Sequence, residues 1–154
     1  MIQILPVTPE NRADVLALRV KPDQQGYIET TGQCLQEAAA LPLWRSVGLY
    51  ANRCLVGFAM YGCWKEEGAS GRVWLDRFLI DGRYQGRGYG GQALRALLDR
   101  IAGEYACDEV YLSLYADNRA AEQLYRKFGF VYNGEQDIHG EQVMVLRLNE
   151  RNNG

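Results

Sequence analysis

Four glycines crowd the stretch Gln85-Gly86-Arg87-Gly88-Tyr89-Gly90-Gly91, which joins a strand pattern to the start of a helical one. Glycines let backbone N–H groups turn toward one point, and they let a ligand approach the chain closely. The start of a helix adds partial positive charge, so this stretch suits a phosphate or a pyrophosphate. We therefore predict an anion-binding loop here, with Arg83 and Arg87 as additional positive charges.

Three phosphate-loop patterns compete for this stretch. A nucleotide P-loop is excluded, because the Gly-Lys-Ser/Thr ending is absent. Residues 86–91 also satisfy G-x-G-x-x-G, the dinucleotide-binding pattern. That fold requires an acid at the end of the next strand and further β-α units, which this sequence lacks, so the pattern is disfavoured. The third pattern, Gln-x-x-Gly-x-Gly, is met by Gln85, Gly88 and Gly90. If the loop is considered by itself, the alternative remains that it is a glycine-rich connector that binds no ligand.

The spacing of apolar residues predicts the elements that position this loop. Strands are predicted at 2–7, 46–51, 54–62, 72–81, 110–115, 130–133 and 142–148, with a hairpin between the second and third. Helices are predicted from Thr8-Pro9 to about Leu18, around 34–41, from the glycines to about Ala102, and from Asn118 to Gly129. The order indicates an α/β fold, a central β-α-β-α-β run behind an N-terminal helical and hairpin segment.

Composition narrows the class of protein. The 154 residues suit one domain, predicted at 1–148 with a polar tail at 149–154. A net charge of −2 does not favour nucleic-acid binding. No apolar run approaches a membrane span and no secretory signal is recognised, so we expect a cytoplasmic protein without membrane contact. The four cysteines are expected to be reduced and mostly buried, and the single histidine, His139, to be a turn residue, with no metal site.

The sequence resembles the GNAT superfamily of N-acetyltransferases, in which Gln/Arg-x-x-Gly-x-Gly/Ala cradles the pyrophosphate of acetyl-CoA. A second matching motif follows, Asn118-x-x-Ala121-x-x-Leu124-Tyr125-x-x-x-Gly129-Phe130. The resemblance implies a single GNAT domain with a mixed central sheet of about six to seven strands, splayed at the middle and flanked by about four helices. It also implies acetyl-CoA as the co-substrate.

Longer stretches, among them residues 47–50, 56–62 and 71–78, resemble the spermine/spermidine-acetylating branch of the superfamily. This implies acetyl transfer to a primary amine of a polyamine, by direct attack of the amine on the thioester. Two alternatives stay open: a GNAT enzyme for an aminoglycoside, a small metabolite, a protein N-terminus or a lysine, and a non-catalytic acyl-CoA-binding regulator. Relatives are often dimers, so the resemblance also allows a homodimer.

The resemblance assigns residue roles. Tyr125 corresponds to the general acid that protonates the coenzyme A thiolate. Asp76 corresponds to a carboxylate that draws the substrate proton through water. As alternatives, Asp76 only holds the cationic substrate, or it only pairs with Arg77 or Arg72. Backbone groups of a splayed strand bind pantetheine. The expected coenzyme-binding residues are Phe78, Ile80, Gln85, Gly86, Arg87, Gly88, Tyr89, Gly90, Gly91 and Asn118.

The acceptor site should combine carboxylates for the cations with aromatic faces for ammonium groups. The expected polyamine-binding residues are Tyr27, Glu29, Glu37, Trp74 and Asp76, with Glu29 preferred because it lies in the irregular segment where GNAT proteins build their acceptor site. A regular alternation along the strand would place Trp74, Asp76, Phe78 and Ile80 on one face. Asn118 is expected to bind pantetheine, to cap its helix, or to do both.

Overall fold

The computed structural model describes residues 1–67 and 71–148, and the predicted polar tail at 149–154 lies outside them. The strands are β1 (Ile2–Pro6), β2 (Arg45–Ala51), β3 (Cys54–Trp64), β4 (Arg72–Ile80), β5 (Glu109–Leu114), β6 (Val131–Gln136) and β7 (Gln142–Arg147). The helices are α1 (Arg12–Leu16), α2 (Thr31–Ala40), α3 (Tyr89–Tyr105) and α4 (Arg119–Lys127). Short 3-10 turns lie at Pro22–Gln24 and Gly82–Tyr84.

The strands form one mixed sheet in the order β1-β2-β3-β4-β5-β7-β6. All neighbours are antiparallel except β4 and β5, which are parallel and are paired only at Trp74 and Tyr111. Beyond that pair the two strands separate, so one edge of β4 is left without a ladder. The predicted mixed sheet with a splayed centre is confirmed.

Two apolar cores cover the two faces of the sheet. On one face α3 buries Leu94, Leu97 and Ile101, at the helical spacing that the sequence shows. On the other face α1 and α2 bury Val15 and Cys34 against the middle of β3 and against Leu79 near the end of β4. The sheet is therefore covered on both sides, and the gap between β4 and β5 is left at one end.

The first helix begins later than predicted. Its first residue is Arg12, because Thr8 starts a turn instead of a helix. Asn11 holds this turn: its Oδ1 accepts from the Thr8 N–H at 2.8 Å and its Nδ2 donates to the Pro6 carbonyl at 3.1 Å. The predicted start at Thr8-Pro9 is wrong, because residues 8–11 form a turn in which the Asn11 N–H donates to the Thr8 carbonyl at 3.2 Å.

Asp76 is an extra residue in β4. Met60 of β3 lies opposite Arg77, and the next residue, Tyr61, lies opposite Leu75. Asp76 therefore has no partner across the β3–β4 ladder, which is the arrangement of a β-bulge. The bulge lies at the residue to which the family resemblance assigns acid–base chemistry.

The bulge also switches the face to which later residues of β4 point. Val73 and Leu75 share one core with Ile80, and Phe78 packs against that same core. Odd-numbered residues before the bulge and even-numbered residues after it thus lie on the same face. The prediction that Trp74 shares a face with Phe78 and Ile80 is wrong, because a bulge breaks the two-residue period.

The cysteines are all free, but they differ in exposure. Cys34 is buried, Cys63 and Cys107 are partly buried, and Cys54 is exposed. The expectation of mostly buried thiols is therefore wrong for Cys54, which lies at the start of β3 beside the hairpin turn. Of the helices in the described residues, none has the length and apolarity needed to cross a membrane.

Candidate active site

A cleft of about 260 Å³ opens where β4 and β5 separate. Its walls are the second half of β4, the start of α3, one face of α4, and the irregular segment before α2. Of the predicted site residues, it is lined by Tyr27, Glu29, Asp76, Phe78, Ile80, Gln85, Gly86, Tyr89, Gly90, Asn118 and Tyr125. The lining does not include Glu37, Trp74, Arg87, Gly88 or Gly91.

The glycine stretch forms a turn that leads into α3, which begins at Tyr89. Gly86 and Gly88 have φ of +80° and +82°, a left-handed conformation that suits glycine. Gln92 donates to the Gly88 carbonyl at 3.3 Å. The N–H groups of residues 89–91 precede this bond and have no partner within the helix, as at any helix start. They lie at the positive end of α3, which favours an anion.

Gln85 ties the glycine stretch to the strand before it. Its Nε2 donates to the Ile80 carbonyl and to Gln24 Oε1, both at 2.8 Å. Gln24 Nε2 donates in return to Gln85 Oε1 at 3.0 Å. The side chain of Gln85 thus shapes the loop, and it joins the loop to the 3-10 turn at Pro22–Gln24.

The open edge of β4 presents backbone groups to the cleft. The Asp81 N–H donates to the Val56 carbonyl of β3 at 2.8 Å. Because backbone groups alternate in direction along a strand, those of Ile80 and Phe78 point away from β3, toward the gap. The Ile80 carbonyl is already bonded to Gln85. Its neighbour Phe78 lies deeper along the same edge.

Two arginines flank an aromatic ring at the mouth of the cleft. The guanidinium groups of Arg83 and Arg87 lie 5.3 and 5.7 Å from the centre of the Tyr84 ring. Arg83 also donates from Nε to Asp81 Oδ1 at 2.9 Å. Burial alone would raise the pKa of Asp81, but the hydrogen bonds from Arg83 and from the Arg19 N–H hold that pKa below its ordinary value.

Tyr125 reaches the cleft from α4. Its side chain is buried, and its ring meets Phe130 edge-on at 5.7 Å. Burial raises the pKa of Tyr125, so the hydroxyl keeps its proton at neutral pH. A protonated, water-shielded hydroxyl in a cleft is suited to donate a proton to a leaving group.

Asn118 occupies the N-cap position of α4, as predicted. Its side chain makes no capping hydrogen bond, and it lines the cleft. The Glu122 N–H bonds the Asn118 backbone carbonyl at 3.1 Å, which begins the helix without the side chain. The Asn118 side chain is therefore not used as a helix cap, and the residue lines the cleft.

Asp76 lies beside Glu29 at the end of the cleft where the sequence predicts the acceptor site, and it is paired with Arg77. Arg77 Nη1 donates to Asp76 Oδ2 at 2.7 Å, and Nη2 donates to Glu37 Oε2 at 3.1 Å. Glu29 Oε2 lies 2.8 Å from Arg77 Nε, without the alignment of a hydrogen bond. Burial raises the pKa of Asp76 to about 6, although Arg77 opposes the shift. Of the two predicted arginine partners, only Arg77 is used.

Trp74 lies outside the cleft. Its Nε1 donates to Glu67 Oε1 at 2.9 Å, and its ring is 5.4 Å from that of Tyr111. Arg72, on the same strand, bonds Glu135 at 2.8 Å. The predicted substrate contact of Trp74 is not supported, because the bulge at residue 76 sends this side chain to the opposite face. Glu37 reaches the site only through the guanidinium that it shares.

Glu141 lines the cleft and was missed by the sequence interpretation. It follows the turn between β6 and β7, where Asp137 Oδ1 accepts from the N–H groups of His139 and Glu141 at 2.8 and 2.9 Å. His139 is a turn residue, as predicted. Burial, Asp137 and Glu29 raise the pKa of Glu141 to about 7. The motif Gly140-Glu141 was the only local signal, and it indicates a turn.

A second cavity of about 230 Å³ adjoins the first at this end. The two cavities share Tyr27, Ile28, Glu29 and Glu141. The Tyr27 ring lies 6.4 Å from that of Tyr115, which lines the second cavity. Within residues 1–67 and 71–148, no group of His, Cys, Asp and Glu side chains is arranged to hold a metal ion.

Comparison with known proteins agrees with this geometry. Residues 12–130 match the model of the acetyltransferase (GNAT) family. The chain is 49% identical over 150 residues to the spermine/spermidine N(1)-acetyltransferase of Bacillus subtilis, which covers 96% of this chain and 99% of that protein. The chain therefore belongs to the GNAT family, and it is an acetyl-CoA-dependent N-acetyltransferase.

Solved structures show the same fold. An aminoglycoside acetyltransferase in complex with coenzyme A superposes with a TM-score of 0.83 at 18% identity, over 100% of both chains. A spermidine N-acetyltransferase from Vibrio cholerae, in complex with coenzyme A and spermine, gives a TM-score of 0.74 at 16% identity, over 97% of both chains. At such identities the likeness establishes the architecture alone.

Proposed function

We propose that this protein transfers the acetyl group of acetyl-CoA to a primary amine of a polyamine such as spermine or spermidine. The observation that carries the proposal is the excess of negative charge at the acceptor end of the cleft. Glu29, Glu37 and Asp76 pair there with the guanidinium of Arg77. Two further carboxyl groups, Asp137 and Glu141, are close enough to act electrostatically on this group. A substrate with several spaced cations offsets this charge.

The Bacillus relative supports the same substrate class, because its name states activity on spermine and spermidine and the match covers nearly the full length of both chains. The paired cavities also suit a long, flexible amine. One amine would enter the gap beside Asp76, and the rest of the chain would extend past Tyr27 and Glu29 toward Glu141. Tyrosine rings can contact ammonium groups through their faces.

The coenzyme side of the cleft fits acetyl-CoA, whose thioester supplies an activated acyl group. The start of α3, with Gly86, Gly88 and Gly90, would hold the pyrophosphate, and Arg87 would add charge at the mouth. The open edge of β4 at Phe78 and Ile80, together with Asn118, would hold the pantetheine arm. The predicted contacts of Gln85, Tyr89 and Gly91 belong to the same proposal.

Proton removal from the amine is the first chemical demand. A primary alkyl ammonium has a pKa near 10.4, so at neutral pH only about one molecule in 2,500 is uncharged, which costs about 4.6 kcal/mol. Asp76 has a pKa of about 6 and is mostly ionised at neutral pH. It accepts the proton through water, and the free amine then attacks the thioester carbonyl.

Departure of the thiolate is the second demand. Tyr125 lies in the cleft with its proton retained by burial, and it donates that proton to sulfur as the carbon–sulfur bond breaks. A backbone N–H at the open edge of β4 would stabilise negative charge that develops on the carbonyl oxygen. Nitrogen therefore loses two protons between the ammonium and the amide, one to Asp76 before attack and one as the carbon–sulfur bond breaks. One of these offsets the proton that Tyr125 gives to sulfur, and the other is released to solvent.

A panel of amines with acetyl-CoA, followed by thiol release, tests the proposal. Spermine and spermidine are expected to give the highest kcat/KM, above a monoamine, an aminoglycoside and a lysine peptide. Equal turnover of monoamines and polyamines would contradict the substrate class. Tight coenzyme A binding without turnover of any amine would indicate the non-catalytic regulator instead. The homodimer, the cytoplasmic location and the lack of nucleic-acid and membrane contact stay predictions.

A further inference from the structure

Arg77 joins three segments at the acceptor end of the cleft. Its side chain is only 18% exposed, although it carries a full charge. The guanidinium meets Asp76 on β4, Glu29 in the segment before α2, and Glu37 on α2, at distances of 2.7, 2.8 and 3.1 Å. A buried cation with three carboxylates is placed where its charge acts strongly on each of them.

The contact with Asp76 has two points. Arg77 Nη1 donates to Asp76 Oδ2 at 2.7 Å and also to the Asp76 carbonyl at 2.9 Å. Asp76 is the bulged residue, so the β3 ladder does not constrain it. The two hydrogen bonds close a small ring that fixes the direction of the carboxylate relative to its own backbone.

The other charged groups around Asp76 are anions. They come from each element packed against it: Glu29 from the irregular segment, Glu37 from α2, and Asp137 from the turn after β6. Glu141 is on the same turn and faces Arg77 as well. The Cys34 thiol of α2 also faces Arg77, but burial raises its pKa to about 12 and it stays neutral. Arg77 therefore supplies the positive charge in this group.

We propose that Arg77 is a positioning residue for acetyl transfer, which aims the Asp76 carboxylate into the cleft, holds it in its charged form and ties it to Glu29. The inference rests on the proposed function for the role of Asp76. Asp76, as the proton acceptor, would then depend on Arg77, a residue that the substrate does not need to contact.

Arg77→Met tests the charge. Removal of an opposite charge at this range is expected to raise the pKa of Asp76 by about one to three units. In the free protein, the carboxyl carbon signal of Asp76 in an NMR titration should move to higher pH, with the signal assigned by its loss in Asp76→Asn. The acidic limb of kcat against pH, measured with saturating spermidine, should move in the same direction.

Arg72→Met is the matched control. Arg72 lies on the same strand and also pairs with a carboxylate, Glu135 at 2.8 Å, but outside the cleft. The titration of Asp76 and the acidic limb should stay at their wild-type positions in this variant. An Asp76 titration in Arg77→Met that matches the wild type, or one that moves equally in Arg72→Met, would overturn the proposal.

Arg77→Lys separates charge from direction and serves if the methionine variant does not fold. A lysine keeps the charge but lacks the planar fork. Its Asp76 titration should stay near that of the wild type, while kcat falls. A wild-type kcat would overturn the directional part, and a shift as large as in Arg77→Met would overturn the charge part. The NMR titration needs no substrate, so it stands even if the amine panel refutes polyamine transfer.

Discussion

The side-chain amides of Gln24 and Gln85 hydrogen-bond to each other in both directions, at 3.0 and 2.8 Å. Gln24 ends the 3-10 turn at Pro22–Gln24, and Gln85 begins the glycine stretch that we propose holds the coenzyme pyrophosphate. A pair of neutral side chains therefore joins the glycine stretch to the segment before α2, the two parts of the cleft that we propose bind the coenzyme and the amine. Both ends of this contact line the cleft.

Gln24→Ala removes this contact and leaves the Gln85 bond to Ile80. Loss of about 1 kcal/mol of hydrogen bonding predicts an increase of about fivefold in the KM for acetyl-CoA, because the loop is less well fixed. Steady-state kinetics check this. Gln33→Ala is the control, since Gln33 bonds Thr30 and does not touch the loop. An unchanged KM for acetyl-CoA in Gln24→Ala would show that the loop holds its shape alone.

Gly90→Asp tests the anion loop. A Cβ at Gly90 would lie 3.6 Å from Leu124, an ordinary contact, so the fold should tolerate the change. The new carboxylate stands at the start of α3, where it repels a phosphate and blocks its approach. We expect the KM for acetyl-CoA to rise more than about tenfold, a loss of about 1.4 kcal/mol.

Gly103→Asp provides the control for this loop. It adds the same carboxylate to the same helix, and a Cβ there meets no atom within 4 Å. The KM for acetyl-CoA should stay at the wild-type value in this variant. Near-native coenzyme affinity in a folded Gly90→Asp protein would contradict the assignment of the loop to pyrophosphate.

Tyr125→Phe keeps the ring contact with Phe130 and removes the hydroxyl. Loss of one acid–base group lowers rates by about 10²–10⁴-fold, so kcat should fall by that factor while coenzyme binding persists. Pre-steady-state acetyl transfer is the better measurement, because slow product release can hide the change in kcat. Tyr111→Phe, outside the cleft, should leave the rate unchanged. A wild-type chemical step in Tyr125→Phe would make this tyrosine a packing residue only.

Asp76→Asn should lower kcat most at neutral pH. The deficit should shrink toward roughly pH 9–10, because an amine with a pKa near 10.4 loses its proton there without help. If Asp76 only binds the cation, saturating spermidine restores kcat and the KM alone rises. Glu29→Gln is the comparison, with an expected increase in the KM for spermidine and little change in kcat. The kcat at saturation distinguishes the two roles.

Glu141→Gln tests the raised pKa of Glu141 through the pH dependence of Tm. Burial raises the pKa of Glu141 from an ordinary 4.5 to about 7. The proton bound more tightly in the folded state stabilises the protein at low pH, and this contribution is lost as the pH rises through the folded value. Glutamine does not titrate. The Tm of Glu141→Gln relative to the wild type should therefore be higher at about pH 8 than at about pH 5.

Glu135→Gln gives the opposite sign. The hydrogen bond from Arg72 lowers the pKa of Glu135 in the folded protein. The charged form of Glu135 therefore stabilises the fold at pH values above the pKa that Glu135 has in the unfolded chain. Any effect of Glu135→Gln on Tm should thus be a decrease, and it should appear at the higher pH. Equal pH dependence in the wild type and Glu141→Gln would contradict a raised pKa at Glu141.

Much of the architecture could be predicted from sequence because the responsible interactions are local. The apolar spacing of α3, the hairpin between β2 and β3, and the glycine stretch with its helix start depend on neighbours in the chain. Two motifs in order, the second running from Asn118 to Phe130, then indicated the family. The start of α1 was predicted wrongly because residues 8–11 form a turn to which the Asn11 side chain bonds. A few hydrogen bonds decide between such a turn and a helix.

Sequence by itself determined the order of the elements, the glycine turn at the start of α3 and the residue types available for proton transfer. Tertiary structure alone decided which of those residues meet. One extra residue at Asp76 turns Trp74 out of the cleft, and no period along the chain shows where an unpaired residue falls. Arg77 draws Glu29 and Glu37 together, and a distant turn brings Glu141 opposite them. Side chains far apart in sequence meet only through the packing of the elements that carry them, and local patterns do not encode that packing.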